Sequence, residues 1–222
     1  MHRGKIFFNI IIIVTVIALI GAGGYAAYYY ISRYIALKEA EEAVEEFEEN
    51  IIVVALDDEK SETEQPVEQP QEEPPTPTST SNSTRRTSTT SYRGYSMIGT
   101  IQIPKTRVKA PIVDKVTVNS ISAAVATLYG PGLNQIGNTV LVAHNYRNGT
   151  FFSNNKKLVV GDKIYITDQT GLKVEYSVTK TYITSDTDFD YAIRDTAGKR
   201  EISLSTCTTD PTKRLVIWAK ES

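Results

Sequence analysis

Two residue types that do acid–base and nucleophilic chemistry are nearly absent from this chain, which makes the few present informative. The 222 residues include one cysteine, Cys207, in "EISLSTCTTDPTKRLVIWAK", and two histidines, His2 and His144. His2 lies at the N-terminal tip; His144 follows an apolar β-like run in "GNTVLVAHNYRNGT". A single cysteine excludes a disulfide within the chain. One Cys and one His are too few for a zinc site, which needs three or four ligands. Taken alone, Cys207 reads as a small buried hydrophobe and His144 as a half-buried, satisfied ring. Together they have a joint chemical use. A thiol is a nucleophile only as thiolate, which a neighbouring base or cation favours, and an imidazole can later protonate a leaving amine. Arg214 opens the next strand-like run, "RLVIWAK", and its guanidinium could stabilise an oxyanion. Arg147 and Arg194, in loop-like segments, are reserve candidates for that role.

Such a constellation needs a rigid frame. From Tyr92 to Ser222 the chain holds short runs rich in Val, Ile, Thr and Tyr: "MIGTIQI", "VKAPIV", "NTVLVAH", "KIYITD", "KVEYSVTKTYIT", "EISLST" and "RLVIWAK". They are punctuated by "YGPG", "RNG", "VGDK" and "QTG", which are turn signals. This spacing predicts an all-β barrel or sandwich, with one helix around Ser120 to Thr127. About 130 residues suffice for one core. Cys207 and His144 each end an apolar run, where a barrel presents side chains at its rim.

The remainder is organised in three segments. Ile6 to Ile31 is uncharged and long enough to cross a bilayer, which takes roughly 20 helical residues. An uncleaved anchor is the expectation over a signal peptide, whose apolar region is shorter, and over a buried core helix. Tyr25, Tyr28, Tyr29 and Tyr30 suit an interfacial belt. Residues 1–35 are therefore read as tip and anchor. Residues 36–56 form an acidic juxtamembrane helix, read as a solvated stalk. Residues 57–91 form a disordered Pro/Ser/Thr-rich linker, too poor in large apolar side chains to order itself. Residues 92–222 are the globular domain. The formal charge of -2 gives no basic footprint for nucleic acid.

"LSTC", the Arg-led "RLVIWAK" and the upstream "VLVAHN" together resemble the sortase family of cysteine transpeptidases, over about Ile98 to Lys220. The family signature T-L-x-T-C stands here as Ser203-Leu204-Ser205-Thr206-Cys207, with Ser for the first Thr. The family histidine often follows Gly; here it follows Ala143. The resemblance implies a closed eight-stranded β-barrel behind a membrane anchor, with an extracytoplasmic catalytic domain in a single-pass protein of a Gram-positive envelope. It implies Cys207 as nucleophile, His144 as its partner, Arg214 as oxyanion stabiliser and Thr206 in the substrate groove. The implied partners are surface proteins carrying a C-terminal sorting motif of the L-P-x-T-G kind and an amine of a cell-wall precursor or another protein. Membrane lipid is met through residues 6–31. No cofactor is implied.

The step from Cys207 to Arg214 is similar to class A and class D members. "TDFDY" is similar to class B, but the ten or so residues after Tyr191 leave no room for the long class B helix. Asp186, Asp188 and Asp190 alternate like the start of a calcium loop. Tyr191 stands where an EF-hand needs Gly and Ala197 where it needs Glu, so a solvated acidic loop is expected and no metal is assigned. Two other functions fit the same residues. A surface Cys–His hydrolase would share the acyl-enzyme and release it to water. A non-catalytic tethered β-barrel binding module would keep Cys207 buried and unreactive.

Overall fold

A computed structural model describes residues 2–61 and 90–222. The chain divides into two compact units, Met1–Ala40 and Glu41–Ser222. Helix α1 (His2–Ser61) runs through the first into the second. From Ile11 to Ile31 every residue is exposed, Leu19, Ile20, Tyr25 and Tyr30 among them. A helix apolar on every side is at home in lipid. Among the described residues, one helical segment, Ile11–Ile51, is long and apolar enough to cross a membrane.

The end of α1 departs from the stalk expected for residues 36–56. Within the second unit, Val44 and Phe47 are fully buried. Glu45 and Glu48, on the same side of the helix, reach Lys109 at 3.7 and 3.9 Å. A Cβ placed on Gly171 would strike Ile51. The i, i+3 spacing of Val44 and Phe47 makes a short apolar stripe, which is why so acidic a segment still docks. The half-exposed ion pairs add little beside it. Most of the expected linker, residues 62–89, lies outside the described residues.

The stripe has a measurable consequence. Phe47→Ala should lower unfolding free energy by about 3–5 kcal/mol, the usual loss for a buried Phe. A fragment starting at Tyr92 should be less stable than one starting at Glu41. Urea titration of the four proteins checks both, and equal midpoints would show that the helix contributes nothing to the domain.

The remaining elements are β1 (Thr90–Tyr92), β2 (Tyr95–Ile103), β3 (Val108–Val113), α2 (Val118–Ala123), β4 (Val125–Tyr129), β5 (Gly137–Val142), β6 (Lys163–Asp168), β7 (Lys173–Ser185), β8 (Arg200–Cys207) and β9 (Lys213–Glu221). Short 3₁₀ turns occupy Pro104–Thr106 and Phe151–Lys157. The strand order is β1-β2-β3-β4-β5-β8-β9-β7-β6, and β2 also pairs with β6. That last pairing closes β2–β9 into an eight-stranded barrel, the fold the family resemblance implies. Closure depends on Gly99. Here β2 shifts register against β3 and lies on β6, and a Cβ would strike the Thr167 carbonyl and the Leu133 side chain.

Every strand-like run of the sequence falls on a strand, except that Ala143 and His144 of "NTVLVAH" lie just past the end of β5. The expected helix does not keep its boundaries: Ser120–Thr127 is divided between α2 and β4. The Thr117 and Ser120 side chains form a capping box that starts α2 early. Ala124 is extended, and "VATLY" then pairs with β3 and β5. Propensity favoured a helix in this Ala-rich stretch, and the pairing partners overrode it.

Barrel closure sorts the side chains by parity. On β8, Ile202 and Leu204 enter the main core with Leu141 of β5 and Ile217 of β9. Burying each such side chain contributes about 1.5–3 kcal/mol. The alternate positions face outward, yet several are also buried. The segment 186–199 folds over them, so that Tyr191 and Ala192 pack on Val140 of β5 and Val216 of β9.

Candidate active site

Parity puts Cys207, His144 and Arg214 on this outer face. Cys207 shares the face of Ser203 and Ser205, and Arg214 that of Val216. Strands β8 and β9 pair with Cys207 directly opposite Arg214. Strands β5 and β8 run parallel, with Val142 beside Ser205 at the last paired position. Two residues further along each chain stand His144 and Cys207. Two side-chain hydrogen bonds continue the zipper past the ladder. Thr206 Oγ1 donates to the Ala143 carbonyl at 2.7 Å, and Asn145 Nδ2 donates to the Cys207 carbonyl at 2.9 Å. These bonds bracket His144 and hold the segment 143–145 against 206–207.

Thr206 has the opposite parity. It is 5% exposed and its hydroxyl is committed to Ala143. Its place is beneath the groove, supporting the backbone that carries His144. Cys207 is half-buried and keeps an open side, unlike the sealed thiol expected of a binding module. Arg214 is also half-buried. Its Nη1 donates to the carbonyls of Pro211 and Lys213, at 2.9 and 3.2 Å.

His144 is half-buried, and its ring lies 4.9 Å from that of Tyr146. Burial penalises the imidazolium and lowers the His144 pKa below 6.5. The ring is therefore mostly neutral at pH 7, ready to take a proton. As pH falls below 6.5, the unfolded chain takes up this proton before the folded one does. Unfolding free energy should therefore decline through the lower folded pKa and be unaffected by this group above 6.5. Denaturation midpoints of wild type and His144→Gln, taken from about pH 8 to about pH 5, test this assignment. The wild-type slope should exceed that of the variant; identical slopes would overturn it.

The two reserve arginines have separate places. Arg194 Nε pairs with Glu201 at 2.7 Å, its Nη1 donates to Ser203 Oγ and the Tyr191 carbonyl, and it lies over the Trp218 ring. Glu201 is 1% exposed and also meets Lys220 at 2.9 Å. Arg194 thus fastens the segment 186–199 to β8. Asn138 helps, donating to the carbonyls of Tyr191 and Ala192. Asn138 is six residues before His144, roughly 20 Å along the strand. Arg147 instead lines a cleft beside Cys207.

Sequence reasoning passed over Asn145, Asn138 and Glu201. Asn145 was legible as the residue next to His144 with a two-ended amide. Glu201 was legible as the one carboxylate in the run "EISLST", whose other residues are apolar or hydroxylic. Asp188, in the acidic loop, accepts from Thr184 Oγ1 and from the Asp190 amide. Among the residues described with side chains, no group of three His, Cys, Asp or Glu is placed to hold a metal ion.

A barrel with Cys, His and Arg converging at one rim defines a class, and comparison with known proteins gives its family. Residues 101–222 match the sortase domain model, more than half of the chain, so the chain belongs to the sortase family. A lid mutant of sortase A from Corynebacterium diphtheriae is 27% identical, with TM-score 0.53, over 58% of this chain and 71% of that one. The pilus-related sortase C of Group B Streptococcus is 30% identical, with TM-score 0.52, over 57% of this chain and 67% of that one. A sortase D5 transpeptidase from Clostridium perfringens shares the fold over 83% of this chain and 99% of its own, at 22% identity and TM-score 0.58. No curated protein sequence matches. Membership in this family supports cysteine transpeptidase chemistry in general, acting on sorting-motif proteins and amine acceptors.

Proposed function

We propose that this protein is a membrane-anchored sortase in which Cys207, His144 and Arg214 transfer a surface protein from its sorting motif to an amine. The observation that carries this reading is the register: Cys207 lies opposite Arg214 across β8–β9 and in line with His144 across β5–β8, all on the outer face. The neutral ring of His144 takes the thiol proton, and the Cys207 thiolate attacks a backbone carbonyl of a motif of the L-P-x-T-G kind. Arg214 releases the carbonyls of Pro211 and Lys213 and donates to the developing oxyanion. The imidazolium of His144 protonates the departing amine as the scissile C–N bond breaks and a thioester forms. An amine then attacks the thioester carbonyl. The new C–N bond replaces C–S, and Cys207 leaves as thiolate. Thr206 acts by holding the Ala143 carbonyl beneath this site.

The apolar part of α1 serves as a single-pass anchor, with the catalytic domain outside, where sorting-motif proteins arrive. The class A or D-like reading is supported by the short turn from Cys207 to Arg214 and by the segment 186–199, which holds turns and no helix. The full chain in detergent, offered a library of L-P-x-T-G peptides, should cleave a subset and gain the acyl mass on Cys207. An added amine, offered as glycinamide or as glycylglycine, should divert the thioester from hydrolysis to an amide. Cleavage without any amide product would make the protein a hydrolase.

A further inference from the structure

The cleft beside Cys207 has a chemical character that the acyl-donor half of the reaction does not use. It encloses about 410 Å³ between the segment 145–156 and Thr208–Thr209, with Ile183 on its wall. Its charged lining is Arg147 and Lys156; no carboxylate lines it. Among the described residues neither cation pairs with an acid. The Arg147 side chain has one partner, the Thr209 carbonyl, at 3.3 Å from Nη2, which leaves most of its fork of donors unused. Ser153 also lines the cleft. It is 6% exposed, and its hydroxyl is buried without a hydrogen-bond partner. A buried orphan hydroxyl is costly unless a water or a ligand satisfies it.

The cations are tied to the nucleophile. Arg147 has φ +56, a left-handed backbone disfavoured for a side-chain-bearing residue. It is held there by the Asn145 side chain, whose Oδ1 accepts from the Arg147 amide at 3.1 Å. The other end of the same side chain donates to the Cys207 carbonyl. One Asn therefore fixes the base of the guanidinium and the backbone of the thiol together.

We infer that this cleft receives the acceptor, and that the acceptor is an amine whose own molecule carries a free carboxylate for Arg147 and Lys156. The inference rests on the transpeptidase reading above. Two uncompensated cations repel a simple ammonium. An amino-carboxylate avoids that penalty, because its carboxylate takes charge-assisted bonds from Arg147 and Lys156 while its amine extends toward the thioester. The step balances. The amine nitrogen bonds to the thioester carbonyl, the C–S bond breaks, sulfur departs as the Cys207 thiolate, and the proton shed by nitrogen passes to the neutral ring of His144.

The test compares acceptors that differ only in the carboxylate: glycylglycine with glycylglycinamide, and Nα-acetyl-lysine with its methylamide. The full chain is acylated with the library peptide that modifies Cys207 most completely, thioester formation is confirmed by mass, and amide product is counted against hydrolysis. At least one carboxylate member should be favoured over its amide by about tenfold or more, the scale of one charge-assisted contact. Arg147→Gln combined with Lys156→Gln should bring that ratio near one. Equal use of both members by the wild type, or an undiminished preference in the double variant, would overturn the carboxylate assignment while the thioester still forms. Failure of every peptide to form a thioester would remove the transpeptidase reading and this inference with it.

Discussion

Cys207→Ala should leave no thioester and no detectable cleavage of any sorting peptide, with the barrel intact. The domain has no second thiol. The adjacent hydroxyl, Thr206, is turned inward onto Ala143, and an unactivated hydroxyl is a weak nucleophile beside a thiolate. Cys207 sits at the end of β8 with one side open, so loss of the sulfur should cost no more than about 1 kcal/mol of stability. Intact-mass spectrometry after peptide addition, together with a denaturation curve, separates the two effects. A variant that still gains the acyl mass would remove Cys207 as nucleophile. His144→Ala should reduce turnover by roughly 10²–10⁴-fold, the contribution of a positioned acid–base group. No other histidine lies in the domain to substitute for it.

Arg214→Lys should cost roughly 10²–10³-fold in turnover, the scale seen when one oxyanion donor is removed. Lysine keeps the charge but loses the planar fork. At rest the fork holds the turn at Pro211 and Lys213, and in the proposed reaction it reaches the carbonyl beside Cys207. An ammonium has one centre and cannot reproduce that geometry. Arg194→Lys is the informative control. It removes bonds to Ser203 and Tyr191 and the stacking on Trp218, and it weakens the hold on the buried Glu201. It should lower unfolding free energy by about 1–3 kcal/mol, a loss that Arg214→Lys should not show. Turnover and urea midpoints of the two variants check the pair. Near-wild-type turnover in Arg214→Lys would assign the oxyanion to another donor.

The acidic stretch after the apolar helix shows where one-dimensional reading stops. Nine glutamates and aspartates from Glu39 to Asp58 argue for solvent exposure, and by composition a stalk is the natural expectation. Val44 and Phe47 are only two residues, too few to signal a docked face. They become decisive because the second unit buries them, at a place marked by Lys109 and Gly171, which are far away in sequence. The division of Ser120–Thr127 between helix and strand has the same origin, since β4 exists through its pairing with β3 and β5.

The sequence by itself determined the chemistry on offer: one thiol, one imidazole in the globular domain and an arginine at the head of the final strand. It also determined the barrel strands other than β4, because β-branched runs bounded by turn signals need only local information, and the apolar helix, because length and composition suffice. Tertiary structure decided which side of each strand faces the core. Parity along β8 sets Cys207 outward and Thr206 inward, and the absolute choice comes from barrel closure through the β2–β6 pairing. It also decided the roles of the other arginines. Arg147 and Arg194 are alike as loop residues in the sequence. One lines the cleft at the nucleophile and the other is bound to a buried glutamate, because β8 lies between β5 and β9 and only the closed barrel sets which loop covers which face.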